Sequence, residues 1–490
     1  MGKEDQAPLL VKSGEGENNG VVVSSSSDNS TFCQELKRVS SMAAPMVTVT
    51  VSQYLLQVVS MMMVGHIGKL AFSGVAIATS FAEVTGFSVL IGMAGALETL
   101  CGQTYGAEDF KKLGNYTCCA IISLMFVCVP ISVMWIFMDK ILLLFGQDPE
   151  ISHVARVYCI YLIPALFGYG VLQSLVRYFQ AQSMIYPMVL SSIAVLCLHV
   201  PLCWVLVYGL GMGHVGAALA IGISYWLNVI GLGLYMKYSK ACEKTQIVFS
   251  STALLNIAEF FQFAIPSGLM VCFEWWSFEL LTLLAGLLPD PQLETSILSV
   301  CLSITTLHYF VPYGVGAAAS TRVSNELGAD NPNRARNAVR VALVIGIAEA
   351  VVISTAFFFC RHILGYAYSS DLEVINYVAE MVPLLCISVS ADSLAGILCG
   401  IARGGGFQRI GAYVNLGAYY LIGTPISVLL GFVLNWRAKG LWLGILAGST
   451  VQAVVLIVVT AAFTDWEKEA RNARERLQKE SSDKPINESV

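Results

Sequence analysis

Twelve apolar stretches follow one another along this chain, and they limit the folds that it can adopt. A helix that crosses the hydrocarbon core of a bilayer needs about 20 apolar residues. The composition agrees, because 56% of the 490 residues are hydrophobic and 12% are charged, whereas about 25% are charged in an average soluble domain. A soluble protein of this length could not bury twelve such helices in succession. The pattern therefore predicts an all-α polytopic membrane protein with twelve transmembrane helices.

The placement of Lys and Arg predicts the orientation of these helices, because cytoplasmic segments of membrane proteins are enriched in both residues. With a cytosolic N-terminus, all but six of the 28 Lys and Arg residues fall on the cytosolic side. We therefore expect both termini in the cytosol. Residues 1–39 are expected to be a disordered cytosolic tail, and residues 464–490 a charged cytosolic tail. The six exceptions are Lys69, Lys140, Arg156, Arg361, Arg437 and Lys439.

The chain also repeats itself. "GVLQSLVRYFQAQ", from Gly170, aligns with "GILCGIARGGGFQ", from Gly396, at a spacing of 226 residues that matches Arg177 with Arg403. We predict two pseudo-symmetric lobes of six helices, 40–237 and 255–463, joined by a cytosolic loop at 238–254. Because six is even, both lobes enter the membrane in the same direction, as in secondary transporters built from parallel repeats.

Acidic residues inside the spans mark the candidate site. "VCFEWWSFEL" (271–280) places Glu274 and Glu279 in a run without Lys or Arg, and "ISVSADSLAGIL" places Asp392 in the tenth span. Since a charge at the bilayer centre costs at least about 2.5–3.5 kcal/mol, intramembrane acids are functional candidates. When the repeats are superposed, Gln53 matches Glu274 and Leu166 matches Asp392, so the acids are concentrated in the second lobe.

Carboxyl groups of this kind suit exchange transport. Burial favours the neutral form of a carboxylic acid, and the ionised form can hold a cation, so a proton and a cation can compete for one group. An aromatic face can stack on a cationic substrate, and we name Trp275 and Tyr309, with Gln53, as candidates for the substrate cavity, and expect Trp276 to be a packing residue.

Other polar residues in the spans are interpreted as structural or left open. Lone His199 and His308 are interpreted as hydrogen-bonded packing residues, and Glu349, Glu380 and Glu83 are left open between structural and functional roles. No Lys or Arg is expected at the depth of the acids, and Arg177 and Arg403 are interpreted as anchors at helix ends on the cytosolic side. The scattered cysteines suggest packing residues, so we expect no metal site.

Several long motifs resemble the multidrug and toxic compound extrusion family, in its plant branch. They are "ALETLCGQTYGAEDFKKLG", "VRYFQAQS", "VCFEWWSFELLTLLAGLLPDPQLETS", "STRVSNELGADNPNRAR" and "IARGGGFQRIGAYVNLGAYYLIG". The resemblance spans residues 35 to 465. It implies two six-helix lobes arranged as a V around a central cavity. It also implies export of organic cations or secondary metabolites in exchange for protons, into the vacuole or out of the cell.

The resemblance also assigns the coupling acids. In the eukaryotic branch they lie on the seventh and tenth helices, which matches Glu274 in "FEWWSFE" and Asp392 in "SADSL", and Glu279 matches a second acid of the first motif. Prokaryotic relatives also use an aspartate in helix 1, whereas "QVVSMMMVG" has no acid here. Glu83 in "FAEVTGF" is the residue that could substitute for it.

The sequence thus predicts a proton-coupled antiporter that works by alternating access, needs no cofactor besides H⁺ and binds no nucleic acid. A monomer suffices, and the vacuolar and plasma membranes both remain open as its location. One rival is a flippase for lipids or lipid-linked sugars, which would favour cationic residues in the cavity. The other is a membrane-embedded transferase, which would need clustered Asp or His residues near one membrane face.

Overall fold

The computed structural model describes residues 23–247, 256–368 and 371–482. Across these ranges the chain forms helices and turns without a strand, and twelve helices are long and apolar enough to cross a bilayer. The predicted all-α architecture with twelve transmembrane helices is confirmed. The helices are α1 (Val23–Gly65), α2 (Lys69–Gly106), α3 (Phe110–Ile136), α4 (Pro149–Ala181), α5 (Ile185–Gly209), α6 (His214–Tyr238), α7 (Ile257–Ala285), α8 (Pro291–Gly328), α9 (Pro332–Ala367), α10 (Leu372–Gly405), α11 (Gln408–Val433) and α12 (Arg437–Phe463), followed by α13 (Trp466–Ser482).

Capping residues explain where several helices begin. The Asp148 carboxylate accepts hydrogen bonds from the backbone N–H groups of Glu150 and Ile151, at 2.9 and 3.1 Å, and Pro149 occupies the first turn of α4. Asp109 caps α3 in the same way. An aspartate at the N-cap satisfies free N–H groups of the first turn, and proline is favoured there because its fixed φ suits a helix. Local sequence therefore sets these boundaries.

The two predicted lobes have the same internal packing. In the first lobe α4 packs against α2, α3 and α6, and in the second the equivalent helix α10 packs against α8, α9 and α12. Between the lobes, α2 and α8 cross each other, and α1 and α7 contact α8 and α2 respectively. The first two helices of each repeat thus form the main part of the interface between the lobes.

Glycines bring the lobes close together at one membrane face. We call this face the N-side, because α1 begins there; α2 and α8 end there. A Cβ atom added to Gly106 would collide with the carbonyl oxygen of Asn325, and one added to Gly328 would collide with the carbonyl oxygen of Gln103. These two contacts are related by the repeat, since Gly106 and Gly328 are 222 residues apart, and so are Gln103 and Asn325. The lobes are closed against each other at the N-side.

The expected disorder of residues 1–39 is wrong for residues 23–39, which belong to α1. Glu35 is 6% exposed and accepts a hydrogen bond from the Nε of Arg322 in α8, at 2.6 Å, and Val39 is fully buried. The buried ion pair and the apolar contact stabilise the helical conformation of this polar segment. Residues 1–22 of the predicted tail lie outside the described residues, as do 248–255 of the predicted loop between the lobes.

The predicted charged C-terminal tail contains α13, which lies against both lobes at the N-side. Arg476 donates to the side-chain oxygen of Gln103 in α2, at 2.7 Å, and its guanidinium group lies 5.3 Å from the ring centre of Phe263 in α7. Arg474 forms an ion pair with Asp330, beyond the end of α8. Residues 483–490 are outside the described part of the chain.

Candidate substrate and proton-coupling site

Glu274 of α7 lies where four helices of the second lobe meet. Its side chain is 6% exposed. The Tyr309 hydroxyl of α8 donates to Glu274 Oε1 at 2.9 Å, and the Gln452 amide of α12 donates to Oε2 at 3.3 Å. The Sγ of Cys399 in α10 lies 4.0 Å from Oε2. Both carboxyl oxygens therefore face neutral hydrogen-bond donors in a buried setting.

A second layer of hydrogen bonds fixes the Gln452 amide. The Tyr419 hydroxyl donates to Gln452 Oε1 at 2.8 Å, and Gln452 Nε2 donates to Asn415 Oδ1 at 2.9 Å. Asn415 in turn donates to the backbone carbonyl of Met270, at 2.8 Å. Because the Gln452 oxygen is already engaged by a tyrosine, its NH₂ group is the part that faces Glu274. This arrangement orients the donor toward the carboxylate.

A small cavity opens beside Glu274 at the lobe interface. Trp275 and Tyr309, two of the predicted cavity residues, line it together with Arg403. Ile91 of α2 also lines it, so both lobes contribute to its wall. Trp276 points elsewhere and donates its indole N–H to the carbonyl oxygen of Val84 at 2.8 Å, which fits the packing role expected for it.

Asp392 of α10 belongs to the same electrostatic neighbourhood. It contacts the Ser449 hydroxyl of α12, and the carboxyl group of Glu274 is close enough to interact with it electrostatically. The structure therefore brings together the two acids from the seventh and tenth spans, which are 118 positions apart in the sequence.

A histidine and a third acid lie next to Asp392. His308 Nε2 is 2.7 Å from Glu349 Oε1, and the Ser393 hydroxyl donates to Glu349 Oε2 at 2.8 Å. His308 is thus hydrogen-bonded, as expected, with a carboxylate as its partner. Glu380 is different, because its side chain is 63% exposed and pairs with Lys439 at 2.6 Å.

Glu279 and Glu83 form a separate pair at the lobe interface. The Ser80 hydroxyl of α2 donates to Glu279 Oε2 at 2.7 Å, and the Gln57 amide of α1 donates to Glu83 Oε1 at 2.6 Å. The two carboxyl groups interact electrostatically across the interface. Glu83 begins a π-helical turn in α2, a distortion that is frequent at functional sites.

Gln53 of α1 is the counterpart of Glu274 in the first lobe. Gln173 donates to Gln53 Oε1 at 3.1 Å, and Gln173 aligns with Cys399 at the 226-residue spacing. The pair Gln53–Gln173 thus repeats the pair Glu274–Cys399. Gln53 does not line the cavity at Glu274, so the structure does not bring it together with the second-lobe candidates.

The expectation that no Arg lies at the depth of the acids is wrong. Arg177 and Arg403 are 2% and 4% exposed, and both face the buried carboxylate of Glu98 in α2. Arg403 Nε is 2.9 Å from Glu98 Oε2, and Arg177 Nε is 3.3 Å from Oε1. They are not anchors at the membrane surface. Burial is possible because one carboxylate lies between the two guanidinium groups. We call Glu98, Arg177 and Arg403 the buried Arg–Glu cluster.

Glu98 is the residue that the sequence interpretation missed. It occurs in "ALETLCGQTYG", one of the motifs that carry the family resemblance. The repeat offered the signal, because it aligns the two arginines and pairs Glu98 with Ser320 at the 222-residue spacing. Two equivalent cations with a single acid near them indicate a shared ion pair.

Comparison with known proteins identifies the family. Residues 45–205 and 266–429 match the MatE family model, and each range lies within one of the two repeats. The chain is 54% identical to Protein DETOXIFICATION 9 of Arabidopsis thaliana over 444 residues, which cover 91% of this chain and 92% of that protein. It is 53% identical to Protein DETOXIFICATION 14 of the same organism over 446 residues, covering 91% and 92%.

Solved structures agree with this assignment. The crystal structure of the eukaryotic MATE transporter AtDTX14 superposes with a TM-score of 0.88 at 53% identity, covering 91% of this chain and 100% of that one. An outward-facing multidrug resistance MATE transporter of the MOP superfamily shares the fold, with a TM-score of 0.78 at 16% identity over 90% of this chain and 97% of the other. The chain belongs to the multidrug and toxic compound extrusion (MATE) family of membrane transporters.

Proposed function

We propose that this transporter is a proton-coupled antiporter that exports organic cations or secondary metabolites by alternating access. The observation that carries the proposal is the setting of Glu274. It is a buried acid in a cavity between the lobes, and both of its carboxyl oxygens face neutral donors. Such a carboxylate can bind either a proton or a cationic group. Competition between the two ligands for one charge couples their movements in opposite directions.

The surroundings of Glu274 support a cationic cargo. Trp275 and Tyr309 supply aromatic surfaces in the same cavity, and a cation over an aromatic face is stabilised by about 0.5–2 kcal/mol. Asp392 adds a second acid within electrostatic reach. Glu279 and Glu83 form an additional acidic pair at the lobe interface. These acids favour cations over anions as substrates.

The distribution of basic residues supports an orientation in which the N-side faces the cytosol. With this orientation the cytosolic face is closed, and the cargo leaves from the opposite face. The acidic compartment that supplies protons is then the vacuolar lumen or the cell exterior. One chain contains both lobes, so a monomer is sufficient for this cycle.

The flippase alternative deserves a direct test because Arg403 lines the cavity. A buried guanidinium group could in principle bind the phosphate of a lipid-linked sugar. In this structure Arg403 is already paired with Glu98, at 2.9 Å, whereas Glu274, the acid that lines the cavity, faces neutral hydrogen-bond donors. The proposed antiport therefore accounts better for the site.

Transport by reconstituted protein tests the proposal. In liposomes with an acidic interior, we expect uptake of tetraethylammonium to depend on the pH gradient. Glu274→Gln and Asp392→Asn should each reduce this uptake at least about tenfold. Glu380→Gln is the matched control, since Glu380 is an exposed carboxylate of the same lobe, and it should transport like the wild type. Gradient-driven uptake that persists in both site variants would overturn the proposal, and phospholipid scrambling without cation uptake would favour the flippase.

A further inference from the structure

Arg403 pairs with a carboxylate of the other lobe and lines a cavity that contains a carboxylate of its own lobe. Its Nε is 2.9 Å from Glu98 Oε2 across the lobe interface, where the two side chains are 5% and 0% exposed. It also lines the cavity that contains Glu274 of its own lobe. The charge of Arg403 also acts electrostatically on Glu274.

The charges of the cluster can be assigned lobe by lobe. The first lobe contributes Glu98 and Arg177, which form a neutral pair at 3.3 Å. The second lobe contributes Arg403, and its charge is matched within that lobe when Glu274 is ionised. Separating the lobes at the N-side then leaves each with balanced buried charge. When Glu274 is neutral, separation leaves Arg403 without a counter-ion from its own lobe, and an uncompensated buried charge is strongly unfavourable.

We propose that Arg403 couples the charge of Glu274 to closure of the N-side. Neutralisation of Glu274, by a proton or by a bound organic cation, favours the pairing of Arg403 with Glu98 and thereby stabilises the closed N-side. Ionised Glu274 provides an alternative partner for Arg403 and permits the N-side to open. This inference rests on the proposed function, since it takes Glu274 as the coupling acid. Arg403 acts as a positioning residue, which links that acid to the interface between the lobes.

Other titratable groups near Glu274 and Arg403 could also contribute to a pH dependence. The titratable and charged groups facing Glu274 are Tyr309 of α8, Asp392, Cys399 and Arg403 of α10, and Tyr419 of α11. Those facing Arg403 are Glu98 of α2, Arg177 of α4, Glu274 of α7, Tyr309 and Tyr313 of α8, and Cys399 of α10. Asp392 is the other acid near Glu274, so it must be controlled separately.

The repeat supplies a matched control for Arg403. Arg177 is its equivalent in the first lobe and pairs with the same Glu98. Arg177 also donates to the Tyr313 hydroxyl of the second lobe, at 2.6 Å, so it too holds the lobes together. However, Arg177 does not line the cavity at Glu274. Loss of either arginine weakens the interface, whereas loss of Arg403 alone removes the link to Glu274.

Distances across the N-side test the inference. Spin labels at Lys111 and Asn333, which are exposed and equivalent by the repeat, report the separation of the lobes in nanodiscs by pulsed electron resonance. The exposed cysteines Cys33, Cys197 and Cys360 are first replaced by serine. In the wild-type background, lowering the pH should increase the population with short distances. This dependence should disappear in Arg403→Gln and in Glu274→Gln, while Arg177→Gln and Asp392→Asn should retain a pH-dependent shift.

Each outcome decides between the two proposals. If Glu274→Gln keeps the pH dependence, Glu274 is not the coupling acid and the proposed function loses its site. If Glu274→Gln loses the dependence while Arg403→Gln keeps it, or if Arg177→Gln behaves like Arg403→Gln, this inference alone is overturned. Should Arg403→Gln fail to fold, Arg403→Lys and Arg177→Lys replace the pair: the midpoint pH of closure should shift in the first and not in the second.

Discussion

Arg177 and Arg403 occupy equivalent positions in the two lobes and share the single carboxylate of Glu98. Their Nε atoms lie 3.3 and 2.9 Å from its two oxygens. The arginine is therefore repeated in both lobes, whereas the acid occurs in the first lobe alone, because the position equivalent to Glu98 is Ser320. One acid is thus shared by two cations at the place where the lobes meet.

Removal of this carboxylate should destabilise the protein strongly. Breaking a buried ion pair by deleting one partner costs about 3–5 kcal/mol, and Glu98→Gln leaves two buried guanidinium groups facing a neutral amide. We expect a large fall in the thermal unfolding temperature in detergent micelles. Glu380→Gln removes an exposed pair with Lys439 and should cost at most about 1 kcal/mol. Equal stability of the two variants would show that Glu98 is not the counter-ion of the cluster.

Tyr309→Phe should shift the pH dependence of transport. The variant removes the hydroxyl that donates to Glu274 Oε1 at 2.9 Å, and a hydrogen bond to a charged group contributes about 1.5–3 kcal/mol. Because the Tyr309 hydroxyl stabilises the ionised carboxylate, Glu274 should stay protonated up to a higher pH in the variant. The half-maximal pH for cation uptake should therefore rise by about one to two units.

Tyr54→Phe is the control for this measurement. Tyr54 is also a tyrosine near the lobe interface, where its ring lies 4.9 Å from that of Phe310. Its hydroxyl is not among the donors to Glu274, so the pH profile should stay that of the wild type. An unchanged profile in Tyr309→Phe would mean that this hydrogen bond does not set the protonation of Glu274.

The membrane fold could be predicted almost completely from the sequence, because apolar length and repeat spacing are local or periodic signals. Glu274 and Asp392 could be recognised as candidates in the same way, since an acid in an apolar span is visible by itself. Arg177 and Arg403 were misinterpreted because they lie near helix ends, where basic residues usually anchor a helix at the membrane surface. Their burial depends on how α2 and α10 approach each other, which no local pattern reveals.

The N-terminal segment was misjudged for a related reason. Its polar composition indicates disorder, yet Glu35 meets Arg322 at 2.6 Å, and these residues are 287 positions apart. A contact between such distant residues exists only once α1 and α8 are packed together. Composition indicates whether a segment tends on average to be ordered or disordered, whereas the packed fold provides a specific ion-pair partner for Glu35.

Gly106→Ala should hold the lobes apart at the N-side. A Cβ atom at Gly106 would collide with the backbone carbonyl of Asn325, which has no flexible end that could move aside. We expect longer distances between spin labels at Lys111 and Asn333 at every pH, together with slower transport. Gly233→Ala is the control, because open space surrounds a Cβ atom at that helical position. Wild-type distances in Gly106→Ala would contradict the close packing of α2 against α8.

Arg476→Gln should loosen α13 from the N-side. Arg476 donates to the Gln103 side chain at 2.7 Å and stacks over Phe263 of the other lobe, 5.3 Å from its ring centre. Burial lowers the pKa of this guanidinium group from its usual value, although arginine stays charged at physiological pH. Since the group contacts both lobes, its loss should expose α13 to limited trypsin digestion and increase amide hydrogen exchange there.

The control for this last variant lies on the same helix. Arg471 is 59% exposed and pairs with Asp465 at 4.0 Å, so Arg471→Gln should leave the digestion of the remaining sites at the wild-type rate. Because the Arg476 side chain contacts both α2 and α7, opening of the N-side requires this side chain to release one lobe. Arg476→Gln should therefore also raise the population of molecules with separated lobes. An unchanged population would mean that α13 does not contribute to closure of the N-side.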